Sequence, residues 1–227
     1  MKHIIITIDG PAGTGKSTIA QETARRLGYL YLDTGALYRA AALAIDDADA
    51  DIHDDEQCGT IASKAAITLA GDRIELNGTD VTSQIRTSHI SSLASKIAVH
   101  PSVRKALMNI QRSFKEKHSL VAEGRDTGSV VFPNAQIKIF LDASVNERAK
   151  RRYDELVLKG SAITYDQVLD DVKARDNRDT TRGTSPLVIP EHAIVVDTTH
   201  LDIAGVVQKV LEVVQEKLAD KQPILLV

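Results

Sequence analysis

Tryptophan is absent from this 227-residue chain, and cysteine occurs only once, as Cys58. A single cysteine cannot form an internal disulfide. Its neighbours include Asp54, Asp55 and Glu56, and acidic surroundings raise the pKa of a thiol. The chain therefore has no disulfide framework, and Cys58 is a poor candidate for a nucleophile.

Long apolar segments and a dominant charge are also missing. No segment reaches the roughly eighteen apolar residues of a membrane span, and the apolar run at the N-terminus is too short for a signal-peptide core. The 28 basic and 31 acidic residues leave a net charge of −3, which gives no general attraction to nucleic acid. We therefore expect a cytoplasmic protein without membrane or nucleic-acid partners, and we take a monomer as its expected state.

The most informative segment present is Asp9–Thr18, DGPAGTGKST, which follows the strand-like run Ile4–Ile8. It matches the phosphate-loop pattern G-x-x-x-x-G-K-[ST]. Glycines let such a loop curl so that its N–H groups surround phosphate oxygens, and the positive end of the next helix faces the same anion. Lys16 can reach the outer phosphates, and the Ser17 hydroxyl can ligate Mg²⁺. The motif predicts that ATP phosphates are held by Gly10, Pro11, Ala12, Gly13, Thr14, Gly15, Lys16, Ser17 and Thr18.

A dinucleotide-binding fingerprint, G-x-G-x-x-G, is the competing interpretation of this glycine-rich segment. Gly13 and Gly15 begin it, and Asp33 lies at the distance expected for a ribose-binding acid. The third glycine position, however, holds Thr18. A dinucleotide loop also has no use for the adjacent lysine and serine, so we favour the phosphate loop.

Short apolar strands, mostly separated by helix-like segments, indicate a buried parallel sheet. The predicted strands are Ile4–Ile8, Tyr29–Leu32, Ser119–Ala122, Ile137–Leu141 and Ala193–Val196. Helices are expected from the phosphate loop to Leu27, after Gly35, and over Ile203–Leu218. The pattern predicts an α/β fold: a three-layer, doubly wound, parallel five-stranded sheet like that of P-loop NTPases.

Two segments interrupt this predicted core, which comprises residues 1–35 and 115–227. Residues 36–114 form an insertion containing a small antiparallel meander, with strands over Ile67–Ala70 and Arg73–Leu76 and a turn at Gly71-Asp72. Residues 153–165 are predicted to form a short mobile lid between two helices. The acidic stretch 46–56 is expected to be a solvated loop rather than a metal site.

Polar residues follow two of the predicted strands, where the carboxyl ends of a parallel sheet line a ligand crevice. Glu123-Gly124-Arg125-Asp126 follows the third strand, and Asp33-Thr34-Gly35 follows the second, with Arg39 close behind. Further arginines flank the lid or share one helical face: Arg148, Arg151, Arg152, Arg175, Arg178 and Arg182. Arginine grips phosphates through paired N–H groups and stabilises a phosphoryl group in transit.

A convincing general base is missing from the vicinity of the loop. An alcohol acceptor often needs such a base. A phosphate acceptor does not, because it is already largely dianionic at neutral pH. The sequence therefore favours phosphoryl transfer from a nucleoside triphosphate to another phosphate.

Motifs spread along the chain carry a resemblance to one family. They are Ile6–Thr18, Leu32–Arg39, Ile85–Thr87, Ala94–Ala98, Val103–Arg104, Glu123–Pro133, Lys138–Ala143 and Arg175–Asp179. Over about residues 4–218 the chain resembles the bacterial cytidylate kinases, which belong to the nucleoside-monophosphate kinases with P-loops. The segments G-R-D-x-G-x-V-V-F-P and L-D-[ST]-G-A-x-Y-R are more specific than the phosphate loop itself.

The resemblance implies ATP-dependent phosphorylation of CMP and dCMP with Mg²⁺, in pyrimidine nucleotide metabolism, and it implies a role for each matching residue. The insertion would bind CMP. The implied acceptor-binding residues are Thr34, Arg39 and Arg125 for the phosphate, Ser95, Arg104 and Asp126 for the cytosine, and Asp179 for the sugar. Arg148 or Arg152, together with Arg175 and Arg182, would reach the transferred phosphoryl group, and Lys16 and Arg125 would also be catalytic.

Departures and alternatives remain open at this point. Thr34 stands where many relatives have serine, and the apolar tail Pro223–Val227 lies beyond the matching segments. Another small-molecule or nucleoside-monophosphate kinase, for example one for UMP, would use the same fold. A regulatory GTP-binding switch would be expected to carry N-K-x-D, which does not occur. The net charge and the phosphate loop disfavour a structural or nucleic-acid-binding role.

Overall fold

The computed structural model describes residues 3–70 and 73–219. The strands are β1 Ile5–Asp9, β2 Leu30–Asp33, β3 Ile67–Ala70, β4 Arg73–Leu76, β5 Thr79–Asp80, β6 Leu120–Gly124, β7 Ile137–Asp142 and β8 Ile194–Asp197. The helices are α1 Lys16–Leu27, α2 Thr34–Asp47, α3 Asp55–Lys64, α4 Ser88–Ile97, α5 Pro101–Ser113, α6 Val145–Leu158, α7 Tyr165–Thr181 and α8 Ile203–Ala219. Short helical turns cover Gln84–Arg86, Phe114–Glu116 and Thr127–Val131.

The main sheet has the strand order β2-β6-β1-β7-β8, and every pairing is parallel. Helices α1 and α8 cover one face, where they pack on the buried side chains of Ile6 and Ile139. Helix α2 and the insertion cover the other face over Leu32 and Ala122. The predicted doubly wound three-layer fold is confirmed.

Strands β1 and β6 extend one or two residues further toward their carboxyl ends than the apolar pattern predicts. Asp9 pairs with Gly124, and Ile8 pairs with Glu123. The ladder continues because backbone hydrogen bonds do not depend on side-chain polarity. The polar residues predicted to follow the strands therefore begin on the strands themselves, which gives them a rigid support.

Helix α2 begins at Thr34, whereas the sequence predicts its start after Gly35. The reason is a cap: the Asp33 carboxylate accepts a hydrogen bond from the backbone N–H of Ala36 at 2.8 Å. Helix α1 ends at Leu27 as predicted, because Gly28 adopts a left-handed conformation with φ 67°. Both helix ends are thus set by single residues.

The insertion contains the predicted small antiparallel sheet, with strand order β3-β4-β5. The predicted turn at Gly71-Asp72 lies outside the described residues. The next turn uses Asn77 at φ 52° and Gly78 at φ 81°, as a two-residue hairpin requires. Buried residues of the insertion, such as Ile74 and Ile85, belong to the same apolar cluster as Leu32 of the main sheet.

Two expectations about connecting segments change. Part of the acidic stretch 46–56 is helical, because α2 includes Asp46 and Asp47 and the Asp54 carboxylate caps α3. The predicted lid, 153–165, contains the end of α6, the connection 159–164 and the first residue of α7. Its mobility stays a prediction, as does the division into domains. No helix within residues 3–70 and 73–219 is long and apolar enough to cross a membrane.

Candidate active site

A large cleft lies where the carboxyl ends of the main strands meet the insertion and the helices α6 and α7. Its volume is about 1340 Å³. Most residues singled out in the sequence line it: Ala12, Gly13, Thr14, Gly15, Lys16, Ser17, Thr18, Thr34, Arg39, Ser95, Arg104, Arg125, Asp126, Arg152, Arg175, Asp179 and Arg182. Gly10, Pro11 and Arg148 are not among the lining residues. One cleft therefore brings together segments from the whole length of the chain.

The phosphate loop adopts backbone conformations that favour glycine. Gly13 and Gly15 have φ values of 83° and 84°. A Cβ atom at Gly10 would lie 2.0 Å from the Leu141 carbonyl oxygen, and one at Gly13 would lie 3.0 Å from Arg148. Within the described part of the chain, no side chain caps the first turn of α1. Its N–H groups are therefore left for an anion.

Lys16 is buried at the start of α1. Its Nζ donates hydrogen bonds to the Pro11 carbonyl oxygen at 2.6 Å and to Thr14 Oγ1 at 3.4 Å. Burial and the nearby charges of Arg125 and Arg175 lower the pKa of Lys16 well below its usual value, although Glu123 opposes the shift. A bound polyphosphate would reverse this effect, because it would supply the missing negative charge.

Glu123 is a site residue that the sequence predictions omitted, although they quoted its motif. Ser17 Oγ donates a hydrogen bond to Glu123 Oε1 at 2.6 Å. Burial, and then the negative charge of Asp33, raise the pKa of Glu123. Its place at the carboxyl end of β6, directly before Gly124-Arg125, was the available signal. Ser17 and Glu123 together present hydroxyl and carboxylate oxygens, the donor types that suit Mg²⁺.

Carboxylates hold two arginines in the cleft. Arg39 forms an ion pair with Asp33 at 2.9 Å, and Arg125 Nε donates to Asp179 at 3.0 Å. Burial alone would raise the pKa of Asp179, but the positive charges of Arg125 and Arg175 outweigh it and lower that pKa. These pairs fix the directions of guanidinium groups that still carry free N–H donors.

Asp126 lies between two other arginines. It accepts a hydrogen bond from Arg104, and Arg182 approaches it at 3.7 Å. The Arg104 guanidinium also donates to the Ala98 carbonyl oxygen and lies 5.5 Å from the ring centre of Tyr38. Burial raises the pKa of Asp126, although both arginines oppose the rise. The result is a buried array of donors and acceptors in which Arg104 Nε and one Arg182 Nη have no hydrogen-bond partner among the described residues.

Helix α7 adds further cationic groups to the cleft. Arg175 is largely buried, and burial and the charge of Arg125 lower its pKa to about 10. Its Nε has no hydrogen-bond partner among the described residues. Arg178 Nε donates to Ser95 Oγ at 3.4 Å. The serine predicted to bind the base therefore contacts the helix that carries the predicted arginines. A cluster of like charges of this kind favours an anionic ligand.

Arg148 and Arg152, which the sequence treats as interchangeable, differ in the structure. Arg152 lines the cleft and pairs with Glu155 at 2.7 Å. Arg148 lies buried behind the loop, where it donates to the carbonyl oxygens of Ala143 and Ala12, both at 3.0 Å. Arg148 also forms an ion pair with Asp176 at 2.6 Å. Its guanidinium therefore braces the loop backbone instead of facing the cleft.

The arrangement suits phosphoryl transfer more than acid–base chemistry. No histidine lines the part of the cleft that the structure describes. Arginine side chains bind the carboxylates of Asp33, Asp126 and Asp179, and a serine hydroxyl binds that of Glu123. Thr34 Oγ1 is likewise occupied, since it donates to the Glu123 carbonyl oxygen at 2.7 Å. Cations and loop N–H groups remain to stabilise charge.

Sequence comparison identifies close relatives over nearly the whole chain. A family model described as "Cytidylate kinase" matches residues 6–216. Among named relatives, the cytidylate kinase of Caldanaerobacter subterraneus subsp. tengcongensis is 46% identical over 93% of this chain and 94% of its own length. That of Pasteurella multocida is 46% identical over 95% and 96%, and that of Bacillus subtilis 44% identical over 95% and 98%.

Comparison with solved structures shows more distant likenesses. A gluconokinase from Sinorhizobium meliloti matches with a TM-score of 0.50 at 14% identity, covering 98% of this chain and 99% of its own. An uncharacterised protein from Eubacterium ventriosum matches with a TM-score of 0.52 at 13% identity, covering 95% and 99%. At these identities the similarity concerns the fold alone.

Proposed function

Because the chain belongs to the cytidylate kinase family, we propose that it transfers the γ-phosphoryl group of ATP to the phosphate of CMP or dCMP. The products are ADP and CDP or dCDP. The observation that carries the proposal is the single cleft, which joins a phosphate loop to the buried array of Arg104, Asp126 and Arg182. A donor site and a base-reading site thus share one cavity.

The phosphate loop and the start of α1 bind the ATP phosphates in this proposal. Lys16 leaves the Pro11 carbonyl and neutralises the outer phosphates. Ser17 and Glu123 fit a Mg²⁺ ion by donor chemistry, directly or through water, and such an ion would supply further charge neutralisation. Arg148 keeps the loop backbone in place from behind.

The acceptor phosphate is held by Arg39 and Arg125, each already oriented by a carboxylate. Thr34 lies beside them at the start of α2. Paired guanidinium N–H groups bind phosphate oxygens in a fixed geometry. The acceptor oxygen is therefore presented to the γ-phosphate without removal of a proton, since a phosphate monoester is largely dianionic at neutral pH.

Cytosine recognition falls to Asp126, Arg104 and Ser95, with Asp179 binding the sugar hydroxyls. A carboxylate accepts from the cytosine 4-amino group, and arginine donates to ring acceptors. Uracil has an oxygen in place of that amino group, so it would leave the Asp126 carboxylate facing a lone pair. A site built to hydrogen-bond one group discriminates strongly against a substrate that lacks this group.

The transferred phosphoryl group is stabilised in transit by the arginines of α6 and α7. Arg152 and Arg175 approach from the lid side, and Lys16 and Arg125 approach from the sheet. Arg182, which the resemblance also implies for this role, lies against Asp126 instead. Charge stabilisation and in-line positioning supply most of the rate in this class of reaction. Closure of residues 153–165 over the cleft excludes water and limits hydrolysis of ATP.

A coupled ADP-release assay tests the proposal across CMP, dCMP, UMP, AMP and GMP, with shikimate and gluconate as alcohol acceptors. CMP and dCMP are expected to give kcat/KM values at least about 100-fold above UMP. The Lys16→Ala variant serves as a control for contaminating kinases. Preferred turnover of UMP, a purine nucleotide or an alcohol would contradict the assignment.

We extend the proposal to a Mg²⁺-dependent, cytoplasmic monomer that acts in pyrimidine nucleotide metabolism without nucleic-acid partners. Its support is the family membership and the balanced charge of the chain. Chelation of Mg²⁺ is expected to abolish turnover, and light scattering is expected to give the mass of one chain, 24.6 kDa.

A further inference from the structure

Asp9 is a buried carboxylate that the proposed chemistry does not use. It ends β1, directly before the phosphate loop, and is completely inaccessible to solvent. Its Oδ1 accepts hydrogen bonds from the backbone N–H and the hydroxyl of Thr127, at 2.8 and 2.7 Å. Its Oδ2 accepts from the backbone N–H of Gly128 at 2.7 Å. Within residues 3–70 and 73–219, every hydrogen bond of this carboxylate goes to the turn after β6.

That turn directly follows the acceptor-binding residues Arg125 and Asp126. It is tightly confined, because a Cβ atom at Gly128 would lie 2.7 Å from Thr7 Oγ1 and 3.1 Å from Asp9 Oδ2. On the other side of Arg125, a Cβ atom at Gly124 would lie 2.5 Å from Thr34 Oγ1. A backbone packed this closely transmits small displacements to its neighbours.

We propose that Asp9 is a positioning residue for acceptor recognition: by holding Thr127 and Gly128, it sets the orientation of Arg125 and Asp126 in the cleft. The inference rests on the proposed function. It also means that the residue preceding the ATP-binding loop acts through its side chain on the CMP-binding end of the cleft.

Among the described residues, the Asp9 carboxylate makes no hydrogen bond to the phosphate loop. The backbone of the loop is held by the bond from Arg148 to Ala12 and by the close fit of Gly10 against Leu141. The charge of Asp9 does favour the protonated form of Lys16, but Glu123 exerts the larger effect of the same sign. Loss of Asp9 should therefore affect the acceptor more than ATP.

The substitution Asp9→Asn tests this, because it keeps one acceptor oxygen and turns the other into a donor that faces an N–H group. We expect KM for CMP to rise about 10- to 100-fold and the preference for CMP over UMP to fall about tenfold, with KM for ATP changed less than about threefold. Calorimetric titration with CMP alone should show the same loss of affinity. Asp142→Asn is the matched control, since Asp142 ends the neighbouring strand β7 and its carboxylate accepts, within the described residues, only from the adjacent Ala143 N–H.

Several outcomes would overturn the inference. They are equal rises in KM for ATP and CMP, an unchanged CMP-to-UMP ratio, or a lowered melting temperature with wild-type kinetics. If Asp9→Asn does not fold, Thr127→Val removes a single bond and should change the same parameters in the same direction by about threefold. Wild-type enzyme that does not phosphorylate CMP would instead contradict the proposed function, the premise of the inference.

Discussion

The two ends of the cleft are built in opposite ways. The end proposed to bind phosphates consists of one continuous segment, residues 10–18, which includes the first turn of α1. The end proposed to bind the base is assembled from Ser95, Arg104, Asp126 and Arg182, which lie far apart in the chain. A site made from neighbouring residues can be identified from spacing alone, whereas a site made from distant residues depends on the fold.

The two ends also differ in how their charges are compensated. Lys16 forms no ion pair with any described residue and bonds only to neutral oxygens of its own loop. Arg104 and Arg182, by contrast, share the Asp126 carboxylate. An uncompensated cation suits a polyphosphate, while compensated pairs suit a neutral base recognised by hydrogen bonds. The ion pairing at each end of the cleft therefore matches the chemistry of the ligand proposed for that end.

The largest effect is expected at the uncompensated end. Lys16→Ala should lower kcat by about 1,000-fold or more while leaving the circular dichroism spectrum and the melting temperature almost unchanged. Steady-state ADP release measures this. Lys150→Ala is the control, because Lys150 is an exposed lysine that forms a surface ion pair with Asp154. A near-normal rate for Lys16→Ala would contradict the proposal that the uncompensated charge of Lys16 serves the polyphosphate.

At the compensated end, Asp126→Ala should lose about 100-fold in the preference for CMP over UMP, with little change in KM for ATP. The variant should also melt at a lower temperature, because Arg104 and Arg182 are left as buried, unpaired charges. Parallel assays with both nucleotides measure the ratio. An unchanged ratio would exclude this residue from base recognition.

A smaller effect is expected where the two ends meet, at Glu123. Glu123→Gln should raise the Mg²⁺ concentration for half-maximal activity by about tenfold, because the amide replaces a carboxylate oxygen beside Ser17. Magnesium titrations at saturating ATP and CMP measure it. Glu212→Gln on the surface of α8 is the control. Equal magnesium dependence in all three proteins would contradict a metal-binding role for Glu123.

The smallest expected effect is the uptake of protons when nucleotide binds. Burial lowers the pKa of Lys16 in the free protein, and bound phosphates should raise it again, since they favour the ammonium form. Binding of a non-hydrolysable ATP analogue should therefore take up a fraction of a proton, increasingly as the pH rises through the lowered pKa. Calorimetry in two buffers with different ionisation enthalpies measures this uptake.

Lys16→Arg provides the comparison for the proton experiment, because a guanidinium stays charged throughout this pH range. It should show no such uptake. Equal uptake in the wild-type protein and this variant would mean that Lys16 is not the group that titrates.

Sequence reasoning performed best where a pattern is local. It predicted the strands of the main sheet, the first two strands of the small antiparallel sheet and the end of α1 before Gly28, each to within two residues. It did not predict the short third strand β5. It placed the start of α2 two residues late, because it did not take Asp33 as the residue that caps this helix. The helical parts of the stretch 46–56 were also missed, since a run of acidic residues resembles a solvated loop.

The site predictions were weaker where a side chain acts across the fold. Glu123 and Asp9 were not proposed as site residues, since the partners that reveal them lie far away in the chain: Ser17 for the first, Thr127 for the second. Arg148 and Arg152 could not be separated, because they lie only four residues apart on one helix. Burial distinguishes them, and burial is a property of packing.

The sequence by itself determined the glycine-rich loop for which we propose phosphate binding, since the spacing of glycine, lysine and serine sets the loop geometry without help from distant residues. The tertiary structure decided which carboxylate meets which arginine, and that Arg148 braces the loop while Arg152 lines the cleft. The physical reason is the range of the interactions. Backbone conformation follows from adjacent residues, whereas ion pairing and burial depend on segments that only the folded sheet brings together.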